Sequence, residues 1–202
     1  MRRRILGVRV IKIGTVFEKM SFDKDIVAVA AGKPVEFILE NSDLMPHNFV
    51  ITAPGALEEI GMLSETNAQQ PGFAEKYYIP QSNKVLAKST LMQPRETQRV
   101  SFTAPSQPGV YPFVCTYPGH WRRMYGALYV VGDLDEYLAN PDAYLVANKI
   151  AALDPYLKDR RPRTEWKVED LEGVLAMLAG GHDHGHADHA HSMPNYGNGK
   201  QL

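Results

Sequence analysis

Phe113-Val114-Cys115-Thr116-Tyr117-Pro118-Gly119-His120-Trp121-Arg122-Arg123-Met124-Tyr125-Gly126 decides how this chain is read. It contains the single cysteine of the sequence, followed by a histidine five positions on and a methionine four positions after that. A lone cysteine is ordinarily a small buried hydrophobe. Here a turn-forming Pro118-Gly119 and two further donor residues crowd behind it, which favours a ligand loop. Thiolate, imidazole and thioether are the donors that a copper ion takes in a blue-copper site, where one more imidazole completes the set. Of seven histidines, five lie in a C-terminal cluster, so His47 is the candidate. It sits in Leu44-Met45-Pro46-His47-Asn48-Phe49-Val50, where a turn gives way to an apolar run.

Working outward from that loop, the flanking segments read as strands. Val110 to Val114 leads in and Ala127 to Val131 leads out. Upstream, Ile5 to Ile13, Ile26 to Val29, Val35 to Glu40, His47 to Thr52, Val85 to Ala87 and Arg99 to Thr103 are apolar or alternating runs. Turn clusters such as Asn41-Ser42-Asp43 and Pro105 to Gly109 separate them. Pro54 to Gln70 breaks the pattern: Ala56, Leu57, Ile60, Met62 and Leu63, with Glu58 and Glu59 between, predict a short helix lying on the sheet. The expectation is an all-β antiparallel sandwich or barrel with one helical flap.

After Gly132 the pattern becomes helical. Asp133 is placed to cap a helix through Leu138, Pro141 or Asp142 to start another through Ile150, and Glu169 to Leu178 reads as a last one. These helices are expected to wrap the sandwich or bridge to a neighbour, since they carry too few apolar residues for a core of their own. The basic Lys158 to Arg163 reads as a linker. The tail with His182, His184, His186, His189 and His191 reads as a disordered segment, with loose metal binding second. The expected organisation is a β domain over 1–132, a helical extension over 133–180 and a tail over 181–202.

At 202 residues and a net charge of −1, the chain gives no electrostatic reason to expect nucleic acid or an acidic membrane as partner. No apolar run approaches the ~20 residues of a membrane span. One cysteine excludes an internal disulfide. Met1-Arg2-Arg3-Arg4 looks like the start of a leader, but Arg9 and Lys12 interrupt the segment after it, so no export signal is expected in this stretch. A mature protein, a piece of a larger one and a cytosolic protein all fit.

Other chemistries fit the loop less well. Structural zinc prefers four ligands without a thioether. A binuclear copper centre needs a second cysteine, and a trinuclear cluster needs histidines where Val114 and Thr116 stand. A cysteine nucleophile activated by histidine would leave Met124 unused and lacks an orienting third group.

These residues resemble the cupredoxin family and, within it, azurin. Met45-Pro46-His47-Asn48 is similar to the run before azurin's first ligand strand, and Cys115 to Met124 follows its loop of Cys-Thr-aromatic-Pro-Gly-His, three residues and Met. The segment Ser82 to Ala87 and the helical flap are azurin-like as well. The resemblance covers roughly Val8 to Val131 and implies a Greek-key β-sandwich holding one type 1 copper on His47, Cys115, His120 and Met124. It implies that Asn48 ties the ligand loops together through Thr116, and that the N–H groups of Asn48 and Tyr117 point at the Cys115 sulfur. His120 is then the solvent-facing ligand. Pro46 replaces the glycine whose carbonyl is a weak axial ligand, and azurin's disulfide is absent. Met45, Trp121, Arg122 and Arg123 would form a docking rim.

Thr164-Glu165-Trp166 and the Gly197 to Leu202 ending are similar to the cupredoxin segment of multidomain dehydrogenases of planctomycete-like bacteria. That implies electron relay between a dehydrogenase and a c-type haem, by a monomer or part of a larger chain in the periplasm or another extracytoplasmic space. The chain would not be an enzyme by itself. A copper carrier that never cycles its metal, and an interaction module with no metal, are the other readings.

Overall fold

The computed structural model describes residues 7–158. The predicted last helix, the histidine-rich tail and most of the basic linker lie outside the described residues. Among the described residues nine strands form two sheets: β1 (Arg9–Val16), β2 (Ser21–Phe22), β3 (Ile26–Ala30), β4 (Pro34–Glu40), β5 (Val50–Thr52), β6 (Val85–Lys88), β7 (Thr97–Thr103), β8 (Gly109–Val114) and β9 (Tyr125–Val131). One sheet has the order β2-β1-β4-β7 and the other β3-β9-β8-β5-β6. Two pairs depart from antiparallel expectation: β1 runs parallel to β4, and β3 parallel to β9. Local alternation reports burial of a face; it says nothing about the direction of the neighbouring strand.

The faces follow from side-chain alternation. In β4, Val35, Phe37 and Leu39 turn inward, while Glu36, Ile38 and Glu40 are half-buried on the other face. Phe22, Phe37, Phe49 and Phe113 meet edge-on or tilted at the centre, with centroids 5.3–5.7 Å apart. Strand β9 differs because both its faces are covered. Leu128 and Val130 enter the core between the sheets, while Ala127, Tyr129 and Val131 enter a second apolar layer outside. This is why the sequence there is a continuous apolar run and not an alternating one.

That second layer is built by the helices. Helix α1 (Leu57–Thr66) lays Leu57 onto it, and α2 (Leu134–Ala139) and α3 (Pro141–Ala147) contribute Tyr137, Tyr144 and Leu145. Asp133 caps α2 by accepting from the N–H groups of Asp135 and Glu136, and Asn140 caps α3 with Pro141 in the first turn. The Tyr144 hydroxyl accepts from the Gly132 and Asp133 N–H groups, at 3.0 and 3.1 Å, which pins α3 to the end of β9. Further on, buried Asp154 reaches back across the chain. Its carboxylate accepts from Gly55 N at 2.7 Å and Leu57 N at 2.9 Å, supplying the cap that Ala56 cannot offer to α1. Through Tyr137, Tyr144, Leu145 and Asp154 the segment after β9 is therefore packed against the outer apolar layer of the sandwich. Among the described residues no helix is long and apolar enough to cross a membrane.

Candidate metal centre

Strands β8 and β9 are joined by the loop that carries the candidate ligands. The Cys115 N–H donates to the Met124 carbonyl, and the Met124 N–H to the His120 carbonyl, both at 2.9 Å. The loop is thereby closed on itself and holds Cys115, His120 and Met124 at one end of the core. His47 comes from the other side. The sequence pattern puts it at the opening of a strand, but β5 starts at Val50, and His47 is held by an isolated bridge to Met92, with N–H···O distances of 3.1 and 2.8 Å.

The three His and Cys side chains converge. Cys115 Sγ lies 3.8 Å from His47 Nδ1 and 3.7 Å from His120 Nδ1, and the two Nδ1 atoms are 3.2 Å apart. Around a trigonal metal with bonds of about 2.0 Å to nitrogen and about 2.3 Å to sulfur, the donors would stand roughly 3.5 Å (N–N) and roughly 3.7 Å (N–S) apart. The observed triangle fits one metal ion. Met124 is wholly buried in the same core cluster as Cys115, available as the thioether partner.

Electrostatics complete the fit. Burial pushes the Cys115 thiol up to about 12, against the opposing pull of N–H groups from Asn48 and Tyr117, so metal binding must displace its proton. Burial, then the charge of His47, draw His120 down to about 4, with Asp43 acting the other way. Burial also lowers His47, although its hydrogen bond and charge interaction with Asp43 pull upward. Both imidazoles are neutral near pH 7 and can offer Nδ1 lone pairs.

The residues around the triangle come from both ligand segments. Asn48 joins the two ligand segments: its Oδ1 accepts from Thr116 N at 2.7 Å, and its Nδ2 donates to Thr116 Oγ1 at 3.0 Å and Tyr77 O at 2.8 Å. Tyr117 is half-buried, with its ring 4.9 Å from that of His120 and 5.2 Å from that of Tyr78. His120 is accordingly only 3 % exposed, against 0 % for His47, so it lies under an aromatic cover and does not take the solvent-facing position that the resemblance implies. Pro46 is half-buried and Met45 exposed, while Arg122 and Arg123 are exposed.

Trp121 does not belong to a rim: it is 1 % exposed. The absence of a side chain at Gly61 lets the indole lie against α1, where a Cβ would come within 2.2 Å of the ring. Tyr156 packs edge-on at 5.7 Å. Arg122 stacks on the same ring at 4.4 Å and pairs with Glu65, so its charge is partly spent within the chain.

Sequence reasoning misses Asp43, Thr15 and the Tyr77-Tyr78 pair. In sequence Asp43 is only part of a turn, yet its buried carboxylate lies 2.9 Å from His47 Nε2. The spacing Asp-x-x-x-His is the available signal. Tyr77 and Tyr78 both take left-handed backbone, at φ 59° and 58°, which places Tyr78 against Tyr117 and the Tyr77 carbonyl against Asn48. No local sequence signal marks that conformation.

Comparison with known proteins agrees with the geometry. Residues 10–131 match the model of copper binding proteins of the plastocyanin/azurin family. Auracyanin-A of Chloroflexus aurantiacus is 34% identical over 125 residues, covering 61% of this chain and 75% of that protein. Azurin of Achromobacter denitrificans is 29% identical over 86 residues, 42% of this chain and 55% of that one. The structure of auracyanin A, described as a "blue" copper protein, superposes with a TM-score of 0.55 at 33% identity, covering 62% of this chain and all of that chain (100%). A donor set suited to one type 1 copper, a two-sheet sandwich and the match over β1 to β9 lead to one assignment: the chain belongs to the plastocyanin/azurin family of copper binding proteins, the cupredoxins.

Proposed function

We propose that this chain is an electron carrier whose copper is held by His47, Cys115, His120 and Met124. The observation that carries the reading is the buried triangle of two Nδ1 atoms and one Sγ, closed at 3.2–3.8 Å. Bound there, copper supplies a one-electron Cu(II)/Cu(I) couple. The protein's part is to hold the donors in one arrangement for both states. The Asn48–Thr116 bonds fix one ligand segment against the other, the Met124–Cys115–His120 backbone bonds fix the loop, and the phenylalanine core excludes water beneath it. Rigid donors keep the rearrangement on electron arrival small. Pro46, next to His47, offers its carbonyl as a further weak contact, and Met45, Arg122 and Arg123 form the rim where a partner docks.

We assign the partners to redox proteins, a dehydrogenase as donor and a c-type haem as acceptor, in an extracytoplasmic compartment. The resemblance to cupredoxin segments of multidomain dehydrogenases supports this, as does the family. On this reading the chain converts no substrate itself and works as a monomer or as part of a larger chain, with a β domain over 1–132, a helical extension over 133–180 and a tail over 181–202.

The test is one equivalent of Cu(II) added to the purified protein, followed by visible absorption and EPR spectra. Intense blue absorption with narrow copper hyperfine splitting is expected, and both should vanish in Cys115→Ser. A pale solution with ordinary tetragonal signals, or a Cys115→Ser variant that stays blue, would reject the assignment.

A further inference from the structure

Asp43 is a buried carboxylate that the ligand set itself does not require. Its side chain is 3 % exposed and faces a ligand side chain that is 0 % exposed. Three donors converge on it: Oδ1 accepts from Glu18 N at 3.0 Å and Leu44 N at 2.8 Å, while Oδ2 lies 2.9 Å from His47 Nε2. Its own N–H donates to Thr15 Oγ1 at 3.1 Å and Asn41 Oδ1 at 3.0 Å. Asn41 is in turn tied to Met45 O and to Met92 O, the carbonyl that also accepts from the His47 N–H. Glu18 takes a left-handed φ of 55° to present its N–H. Non-glycine residues rarely adopt that backbone without a compensating contact. The carboxylate is thus fixed from two strand ends and a loop.

We propose that Asp43 is a positioning residue for the metal ligand His47, locking the imidazole in the tautomer that carries its proton on Nε2 and placing a fixed negative charge behind the copper that favours Cu(II). The inference rests on the type 1 copper reading above. A carboxylate accepts only, so the contact at 2.9 Å requires Nε2–H, and Nδ1 is left as the lone pair facing Cys115 and His120. A carboxylate bonded to the outer nitrogen of a ligand histidine raises ligand basicity and fixes the ring. Its negative charge stabilises the more highly charged metal state more strongly.

Two measurements test this. In the wild-type protein loaded with Cu(I), which is diamagnetic, ¹⁵N-edited NMR of His47 should show a protonated, slowly exchanging Nε2. A proton on Nδ1, or a freely exchanging one on Nε2, would overturn the proposal without recourse to any variant. In Asp43→Asn, which keeps the size and loses the charge, the Cu(II) affinity should fall about 10- to 100-fold. The Cu(I) affinity should fall less, and each tenfold of the difference raises the reduction potential by about 59 mV. A folded, blue Asp43→Asn protein with the wild-type potential would sink the proposal and leave the copper reading intact. Failure of the wild type to turn blue would remove both.

Discussion

Gly61→Ala inverts an ordinary expectation. In a helix interior the change normally stabilises by about 0.8–1.0 kcal/mol, because alanine has less backbone freedom to lose. Gly61 lies inside α1, yet a Cβ there would stand 2.2 Å from Trp121 Cδ2, 2.5 Å from Cγ and 2.6 Å from Cε3. Reaching even a tight 3.4 Å contact requires the two to separate by about 1.2 Å, the difference between 3.4 and 2.2 Å. The indole has little room to yield: it is 1 % exposed, with Tyr156 against its ring and Arg122 stacked on it. An approach this close puts the cost in the upper part of the usual overpacking range, about 2–3 kcal/mol, which exceeds the propensity gain and leaves a net loss of roughly 1–2 kcal/mol. Thermal unfolding of the metal-free protein should show a midpoint lowered by about 2–8 °C. Because Trp121 adjoins His120 in the chain, a displaced indole should also alter the spectrum of the copper-loaded protein. A Gly61→Ala variant as stable as the wild type, or more so, would refute the packing argument.

Two further substitutions address the helical extension. Asp154→Ala leaves the Gly55 and Leu57 N–H groups without their acceptor and should cost about 1–3 kcal/mol in urea unfolding; a loss below ~0.5 kcal/mol would mean that the contact does not anchor α1. Tyr137 buries a hydroxyl with no hydrogen-bond partner among the described residues, so Tyr137→Phe should be neutral or stabilising by about 1 kcal/mol. The same residue sets an alkaline limit. Burial first, then the charges of Tyr129 and Asp142, raise its pKa above the ordinary 10.0. The folded protein keeps this proton where the unfolded chain loses it, so the contribution is complete below about pH 10 and declines above, by up to about 1.4 kcal/mol per pH unit. Tyr137→Phe should flatten that decline, leaving the part due to Tyr111 and Cys115; an unchanged slope between about pH 9 and 11.5 would contradict the assignment.

What the sequence discloses here depends on how local the cause is. The ligand loop is legible because three donors fall within one turn-bounded stretch between two strand patterns, and only one isolated histidine remains to join them. The helices at Leu57–Thr66, Leu134–Ala139 and Pro141–Ala147 are legible from their periodicity, caps and proline. Other features rest on partners far along the chain. Trp121, beside two arginines, has the sequence context of a surface residue; its burial depends on a missing side chain at Gly61. Asp43 looks like turn composition, since only the fold brings Glu18 and His47 to it. The parallel pairing of β1 with β4 and β3 with β9 leaves no local mark, and neither does the left-handed Tyr77-Tyr78 corner that covers His120 through Tyr117.

Whether the four ligands hold copper in both oxidation states is tested most directly by a spectroelectrochemical titration of the copper-loaded protein. The blue absorption should bleach and return reversibly along a one-electron Nernst curve, with copper retained through repeated cycles. Irreversible bleaching with release of Cu(I) would contradict electron transfer and mark the chain as a copper carrier instead.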